Sequence, residues 1–393
     1  MTEHDVLIIG AGPSGLETAR RLSERGLSVL VLEKKDRVGE SVNCTGLIGA
    51  EIFDKFGLDL GSILRRVQDV RLVSPKGTSL EYKHSSCFAY VVDRDRFDRS
   101  IAEAASAAGA EIRTGAEVTN ISWTRSAVEA RVATAGRDDY MTTARLAVIA
   151  TGVHQDLNRK AGLGSPRHFL HGAQMEAEAG DVVVPTIFAG NAIAPGGFAW
   201  AVPSRQGMAK YGLVTDGDAR AGFEVFRKKY LDGKVEGSDE NKVHVKAIAQ
   251  GLISRTYGRR VLAVGEAAGQ VKTTTGGGVA FGLLCADIAA DVIARAFGAG
   301  RFTDSALADY EKLWKGELRT EILLGSYARR IWARLSDARI EKVFQFARMD
   351  GVIPLIREKA EFDHHGELIL ALLRRFSLFG ILDGVAHKIP HFN

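Results

Sequence analysis

Asp5-Val6-Leu7-Ile8-Ile9-Gly10-Ala11-Gly12-Pro13-Ser14-Gly15-Leu16 decides the fold. Asp5 to Ile9 is a short apolar run of the kind that forms a buried strand. Gly10 to Gly15 follows as a glycine turn. Leu16 to Arg25 then reads as a helix, with Leu16, Ala19 and Leu22 at helical spacing. Gly26 ends that helix and Leu27 to Leu32 is a second strand. A strand–helix–strand unit of this length builds a parallel sheet. In such a turn Gly10 allows the tight bend, and Gly12 leaves room for a pyrophosphate beside the backbone. The free N–H groups and positive dipole end of the helix favour the anion. Ala19, four residues after Gly15, lets helix and strand approach. Glu33 ends the second strand, 18 residues after Gly15, where a carboxylate accepts from both ribose hydroxyls. An acid there favours an unphosphorylated ribose. The turn is therefore built for FAD or NAD rather than NADP, and does not itself choose between the first two.

The chain has 393 residues, which predicts two or three domains. Hydrophobic residues are 46% and charged residues 25%, as in ordinary globular proteins. A net charge of +4, with a pI of 8.9, is too mild for a nucleic-acid partner, although it permits contact with an acidic membrane face. Three cysteines, Cys44, Cys87 and Cys285, make no disulfide framework and fit a reducing compartment. The first residues lack a basic leader and a cleavage site. Gly276 to Phe297 is apolar but carries Asp287, Asp291 and Arg295, so it reads as a packed helix rather than a membrane span. The expected location is the cytoplasm, including the inner face of the membrane.

Further along, Asp95 to Ala108 reads as a helix and Glu111 to Thr114 as a strand. Val118 to Trp123, Ala127 to Ala133 and Ala144 to Ala150 read as more strands. His168 to Asp216 alternates like a separate sheet. Phe223 to Tyr230 reads as a helix, Lys242 to Ala249 and Val261 to Val264 as strands, and the chain after Asp304 as helices. The expected class is α/β. It combines a Rossmann-like FAD-binding domain (1–75, 90–160 and 255–300) with an antiparallel-sheet substrate domain (76–89 and 161–254) and a helical C-terminal region (301–393).

Several segments carry a resemblance. Val91-Val92-Asp93-Arg94-Asp95-Arg96-Phe97-Asp98 resembles the segment before the second helix of FAD proteins of the glutathione-reductase type, p-hydroxybenzoate-hydroxylase branch. Val261 to Gly269 resembles that branch's second flavin motif, with Glu266 where the family places Asp on the ribityl chain. Gly276-Gly277-Gly278 opens a helix whose N-terminus would favour negative charge on the reduced ring. Gly39-Glu40-Ser41-Val42-Asn43-Cys44-Thr45-Gly46, Gly197-Phe198-Ala199-Trp200-Ala201-Val202-Pro203 and Thr275 to Val279 together resemble the geranylgeranyl reductase family, over roughly residues 4 to 300. Aromatic hydroxylases of this branch usually carry Asp-Gly where this chain has Thr151-Gly152, which weakens a hydroxylase reading.

That resemblance implies an FAD-dependent reductase of C=C bonds in an isoprenoid chain, of a geranylgeranyl lipid or a prenylquinone. The alternatives are a flavin monooxygenase or halogenase, a flavoprotein–quinone electron-transfer protein, and a non-catalytic flavin module. The expected cofactor-binding set is Gly10, Gly12, Pro13, Ser14, Gly15, Glu33, Lys34, Cys44, Arg94, Val118, Thr151, Gly152, Gly265, Glu266, Gly276, Gly277 and Gly278. Cys44 is the candidate catalytic residue, as a proton donor or a shaping residue near the flavin. Phe198, Trp200 and Pro203 are the candidate substrate-binding residues. His154, His168 and His171 read as polar surface or turn residues, and His364-His365 lacks the further ligands a metal needs. With no second dinucleotide turn visible, NAD(P)H would bind transiently, or a protein donor would supply electrons. Arg, Leu, Ile and Trp mix in the tail from Glu317 to Lys342, and Phe376 to Ile381 adds apolar residues. These suit either a membrane surface or a helical bundle.

Overall fold

The computed structural model describes residues 3–231, 243–349 and 352–378. Ile381 and the end of the apolar stretch that begins at Phe376 lie outside the described residues. The expected strand–helix–strand unit is present as His4–Ile9, Pro13–Ser23 and Val29–Leu32. The two strands pair in parallel, with Val6 opposite Val29 and Ile9 opposite Leu32. This sheet runs Tyr257–Gly258, Val261–Ala263, Tyr140–Ile149, His4–Ile9, Val29–Leu32 and Glu111–Arg113. Its four central members are buried on both faces, which is why they read as continuous apolar runs. Tyr140–Ile149 is long enough to serve two partners. Its first half pairs antiparallel with Val128–Thr134, and its second half runs parallel to His4–Ile9.

The helices Pro13–Ser23, Arg94–Ala107 and Val279–Gly298 pack on one face of this sheet. Asp93 caps Arg94–Ala107, accepting from the N–H groups of Asp95 and Arg96, so the Asp-Arg-Asp segment starts that helix. Val279–Gly298 carries Asp287 and Asp291 outward, paired with Arg21 and Arg25. It is a packed helix, as its charges require. Among the described residues no helix is long and apolar enough to cross a membrane.

A second sheet has seven strands, in the order His244–Gln250, His168–Glu178, Met208–Thr215, Phe198–Pro203, Thr186–Phe188, Asp69–Val73 and Ser79–Lys83. All neighbours are antiparallel except Thr186–Phe188 with Asp69–Val73, which run parallel. The second sheet therefore begins at Asp69 rather than at residue 76, because Asp69–Val73 forms a hairpin with Ser79–Lys83. A small third sheet joins Leu47–Gly49, Ala89–Val92 and Ile63–Val67, whose strands are interleaved in the chain with the first hairpin of the second sheet.

The C-terminal helices form no separate unit. Asp304–Trp332 packs on the first sheet's core through Leu307, Tyr310, Trp314, Leu318 and Ile322. The Tyr310 hydroxyl donates to the Ala263 carbonyl at 2.9 Å, and Trp314 Nε1 donates to Thr256 Oγ1 at 3.0 Å. The helices from Asp337 onward pack on the second sheet, around Leu80 and Ala189. Trp314 is fully buried. Trp314→Ala should cost about 3–5 kcal/mol of stability, read as a lower denaturation midpoint.

Candidate active site

The first strand ends by driving the chain into a place with no room for side chains. At Gly10, φ is +108°, and an added Cβ would lie 2.5 Å from the Ala150 carbonyl oxygen. At Gly15 an added Cβ would lie 2.2 Å from the Gly10 carbonyl oxygen. Gly12 is the opposite case, since a Cβ there would meet nothing within 4 Å. Its missing side chain leaves space on the outer side of the turn, where a pyrophosphate would lie. Pro13 occupies the first helical position, and no side chain caps the helix, so its N-terminal end stays open to an anion. Glu33 is held by two backbone donors, Ala11 N–H at 2.7 Å and Lys35 N–H at 3.0 Å. A carboxylate offers about four lone-pair positions, so it retains acceptors for a ribose.

Distant segments close on this turn. Added Cβ atoms at Gly265 and Gly282 would lie 2.5 and 2.1 Å from Ser14 Oγ. Ser14 is thus wedged between two remote glycines. Gly276, Gly277 and Gly278 line the same cavity ahead of the uncapped helix Val279–Gly298. Glu266 also lines it, and its longer side chain reaches the second sheet. It accepts from Ala249 N–H at 3.1 Å and from Lys246 Nζ at 3.4 Å. Lys34 approaches His154 at 3.2 Å, and Thr151 donates to the His154 carbonyl at 2.7 Å. Lys34, Val118, Thr151 and Gly152 all border the cavity.

The cavity measures about 960 Å³ and continues from the glycine turn to the second sheet. Cys44 lies between them, half-buried, its Sγ accepting from Gly46 N–H at 3.4 Å. Arg94 is buried beside it, bound to both oxygens of Asp98 at 2.9 Å. Burial pushes the Cys44 thiol up, but Arg94, the Gly46 N–H, Lys210 and Lys246 together outweigh it and leave it below its ordinary value. Phe198, Trp200 and Val202 line the cavity, with the Phe198 and Trp200 rings 5.9 Å apart. Pro203 does not line it. Alternate residues of a strand share a face, so the face that carries Phe198, Trp200 and Val202 turns Pro203 away. His168 and His171 are exposed on their strand and outside the cavity, whereas His154 stands at its edge.

A family profile described as an FAD binding domain matches residues 3–189. Digeranylgeranylglycerophospholipid reductase 1 of Methanococcoides burtonii is 30% identical over 368 residues, covering 88% of this chain and 90% of its own. The chain belongs to the geranylgeranyl reductase family. The digeranylgeranylglycerophospholipid reductase of Methanosarcina acetivorans is 29% identical, covering 86% of this chain and 87% of its own. Among solved structures, a geranylgeranyl bacteriochlorophyll reductase-like protein of Thermoplasma acidophilum superposes with a TM-score of 0.84 at 22% identity, covering 96% of this chain and 99% of its own. A flavin-dependent brominase reaches 0.72 at 18%, covering 96% and 99%. These two share the fold. This member of the family is an FAD-dependent oxidoreductase, and the open cradle at Gly12 with the tethered carboxylate of Glu33 fits that cofactor.

Three cavity residues escape sequence reading, Lys272, Phe362 and Asp363, and beside them lies His365, which the sequence singles out only to set aside as a metal ligand. Lys272 Nζ pairs with Asp363 Oδ1 at 2.6 Å and donates to the Phe362 carbonyl at 3.1 Å, and both side chains are buried. His365 is bound to Thr274 Oγ1 at 2.7 Å and to the Phe362 carbonyl at 2.9 Å. Burial and the nearby Lys272 push it down to about 4, so it is neutral near pH 7. The only local signal was Lys272 itself, a charge set among apolar and hydroxyl residues just before three glycines. Asp363 lies 91 positions away and gives none. Among the described residues no cluster suits a metal.

Gly12→Ala should leave stability within about 0.5 kcal/mol while lowering the fraction of protein purified with FAD. Gly15→Ala meets backbone and should lose both, with about 1–3 kcal/mol of strain. Flavin absorbance and thermal denaturation separate the two. Asp363→Ala strands a buried ammonium and should cost about 3–5 kcal/mol, whereas Lys272→Met with Asp363→Leu should cost less than that single change.

Proposed function

We propose that this enzyme saturates C=C bonds of an isoprenoid chain, carried by a geranylgeranyl lipid or a prenylquinone. The supporting observation is that one cavity joins the FAD turn to an apolar chamber. Phe198, Trp200, Leu72, Leu80, Ile187 and Ile356 wall that chamber. Walls of this kind hold an extended hydrocarbon and keep water from the reacting bond. The names of the relatives, digeranylgeranylglycerophospholipid reductases, point to the same substrate class.

When bound and reduced, FAD supplies a hydride. The second carbon of the alkene also needs a proton. We assign that role to Cys44, which borders the cavity with its sulfur held by Gly46 N–H. Its lowered pKa makes it a readier donor than an ordinary thiol. His365 is a poorer source, because its imidazole is neutral and both ring nitrogens are engaged. Gly10, Gly12, Gly15 and Glu33 hold the adenosine half of FAD, and Glu266 with Gly276 to Gly278 border the flavin half. The electron donor proposed is NAD(P)H binding transiently or a protein donor. A lipid substrate places the work at the cytoplasmic face of a membrane.

The test is anaerobic. The flavin is reduced with dithionite and a geranylgeranyl lipid or menaquinone is added. Flavin reoxidation with a gain of one H2 per double bond in the tail is the expected result. Cys44→Ala should slow that reoxidation by about 10²–10⁴-fold. Reoxidation by menaquinone with an unchanged tail would instead mark a quinone electron-transfer protein, and a flavin that stays reduced with every acceptor would end the proposal.

A further inference from the structure

We infer that Lys210 is a positioning residue for Cys44: from behind the cysteine loop, its ammonium clamps the loop's backbone and sets the charge in which the thiol gives up its proton. This rests on the proposed role of Cys44.

The loop that carries Cys44 has little internal structure. It runs between the strands Val29–Leu32 and Leu47–Gly49. Its backbone includes left-handed residues at Gly39 (φ +81°), Ser41 (φ 48°) and Gly46 (φ +79°). Such a path needs outside anchors, and the seven-stranded sheet supplies them. Lys210 Nζ donates to the carbonyls of Cys44 at 3.1 Å and of Thr45 at 3.2 Å. Thr45 Oγ1 donates to Gln174 Oε1 at 2.9 Å, and Gln174 Nε2 donates back to Asn43 Oδ1 at 3.3 Å. Gln174 and Lys210 lie on the adjacent strands His168–Glu178 and Met208–Thr215. Cys44 and Gln174 line the cavity and Lys210 does not, so Lys210 acts through the loop rather than on the substrate.

Two carbonyls can be satisfied by a neutral donor. An ammonium in that place is costlier, because burial disfavours its charge. Burial does push Lys210 down, Cys44 and Glu176 push it back up, and the net result stays below the ordinary lysine value. What the charge adds is a second cation at the thiol, and the charged neighbours leave room for that effect. Arg94, although paired with Asp98, acts on the thiol more strongly than Lys210 does, and Lys246, paired with Glu266 at 3.4 Å, acts more weakly. Glu176 sits directly across from Lys210 but is already engaged by Ser204 Oγ at 2.6 Å and Arg205 at 3.4 Å. Asp93 acts on Lys210 more weakly.

The proton balance is simple. The thiol gives its proton to one alkene carbon, while the other carbon receives the hydride that reduced FAD supplies. The C=C bond becomes C–C, and Cys44 is left as a thiolate. Lys210 and Arg94 stabilise that anion until solvent returns a proton.

The test reads the thiol directly. The holoenzyme is alkylated with iodoacetamide over a pH series, and modification at Cys44 is followed by peptide mass, apart from Cys87 and Cys285. Lys210→Met should move the midpoint up by about 0.5–1 pH unit. Alkylation well below the midpoint should then slow about three- to tenfold. Lys210→Arg should restore the original midpoint. Lys210→Gln, which keeps a donor without the charge, should behave like Lys210→Met. The turnover profile should follow, with its alkaline fall displaced to higher pH in Lys210→Met. Retained flavin absorbance shows that the variants fold. An unchanged alkylation midpoint in Lys210→Met overturns the inference even if turnover drops, because the lysine is then only structural. So does a midpoint that Lys210→Gln preserves. Full turnover by Cys44→Ala would instead remove the proton-donor role, and the alkylation series would still report whether Lys210 governs the thiol.

Discussion

Three backbone segments meet where Gly15 faces the Gly10 carbonyl and Gly10 faces the Ala150 carbonyl, and neither glycine has space for a methyl group. That approach sets how closely the helix Pro13–Ser23 lies against its sheet. It also pins the end of Tyr140–Ile149 beside the end of His4–Ile9, so that two parallel strands open at one edge. Ser14 extends the constraint to Gly265 and Gly282. Residues more than 200 positions apart in the chain are thereby gathered around one turn. The same close packing that makes the fold rigid clears the ground in front of Gly12. The stability of this half of the molecule and its binding capacity have one physical origin.

That origin is why so much of this half was legible. A glycine turn between an apolar strand and an amphipathic helix is a local signal, and Glu33 stands at a spacing that the geometry imposes. The later glycine segments were legible only through resemblance, since nothing local says that Gly265 will touch Ser14. The substrate side was read less well. Phe198 and Trp200 were placed by their alternation, but the same alternation excludes Pro203, and a motif that runs through consecutive residues hides this. Asp69–Val73 joins the second sheet by pairing with Thr186–Phe188, a partner over a hundred residues away, and no local signal shows that. Arg94 borders the cavity, and its bonds to Asp98 and its closeness to Cys44 are long-range facts of the fold that its own segment does not announce.

The C-terminal third was the least legible part, because its helices answer to two different cores. Asp304–Trp332 carries an apolar stripe for the first sheet. Beyond it, the partners change. Asn191 Nδ2 donates to the carbonyls of Trp332 and Leu335 at 3.1 and 2.6 Å. Glu341 accepts from Thr78 Oγ1 at 2.6 Å and from Lys76 N–H at 3.1 Å. A single amphipathic pattern cannot describe a segment that changes its partner midway. Its arginines are part of the same arrangement, with Arg329 bound at 2.6 Å to Asp216, just past the strand Met208–Thr215.

These polar links have a common logic. A cavity of about 960 Å³ at the junction of two sheets removes the packing that would otherwise join them. The walls must be held by contacts around the void. Hydrophobic contacts would hold them too, but apolar surfaces slide past one another with small changes in energy, and a void invites collapse. A buried pair such as Lys272 with Asp363 adds little net stability over an apolar pair. What it does impose is a single register, because any displacement leaves both charges without partners. Lys272 belongs to the turn before Gly276, and Asp363 to the loop ahead of the helix Gly366–Leu378. The pair therefore keeps the far wall in one place relative to the turn that ends at Gly278. In the same way Lys210 fixes the cysteine loop relative to the strands that carry Trp200. Both ends of the cavity are thus positioned by charge, and the surface between them is left apolar.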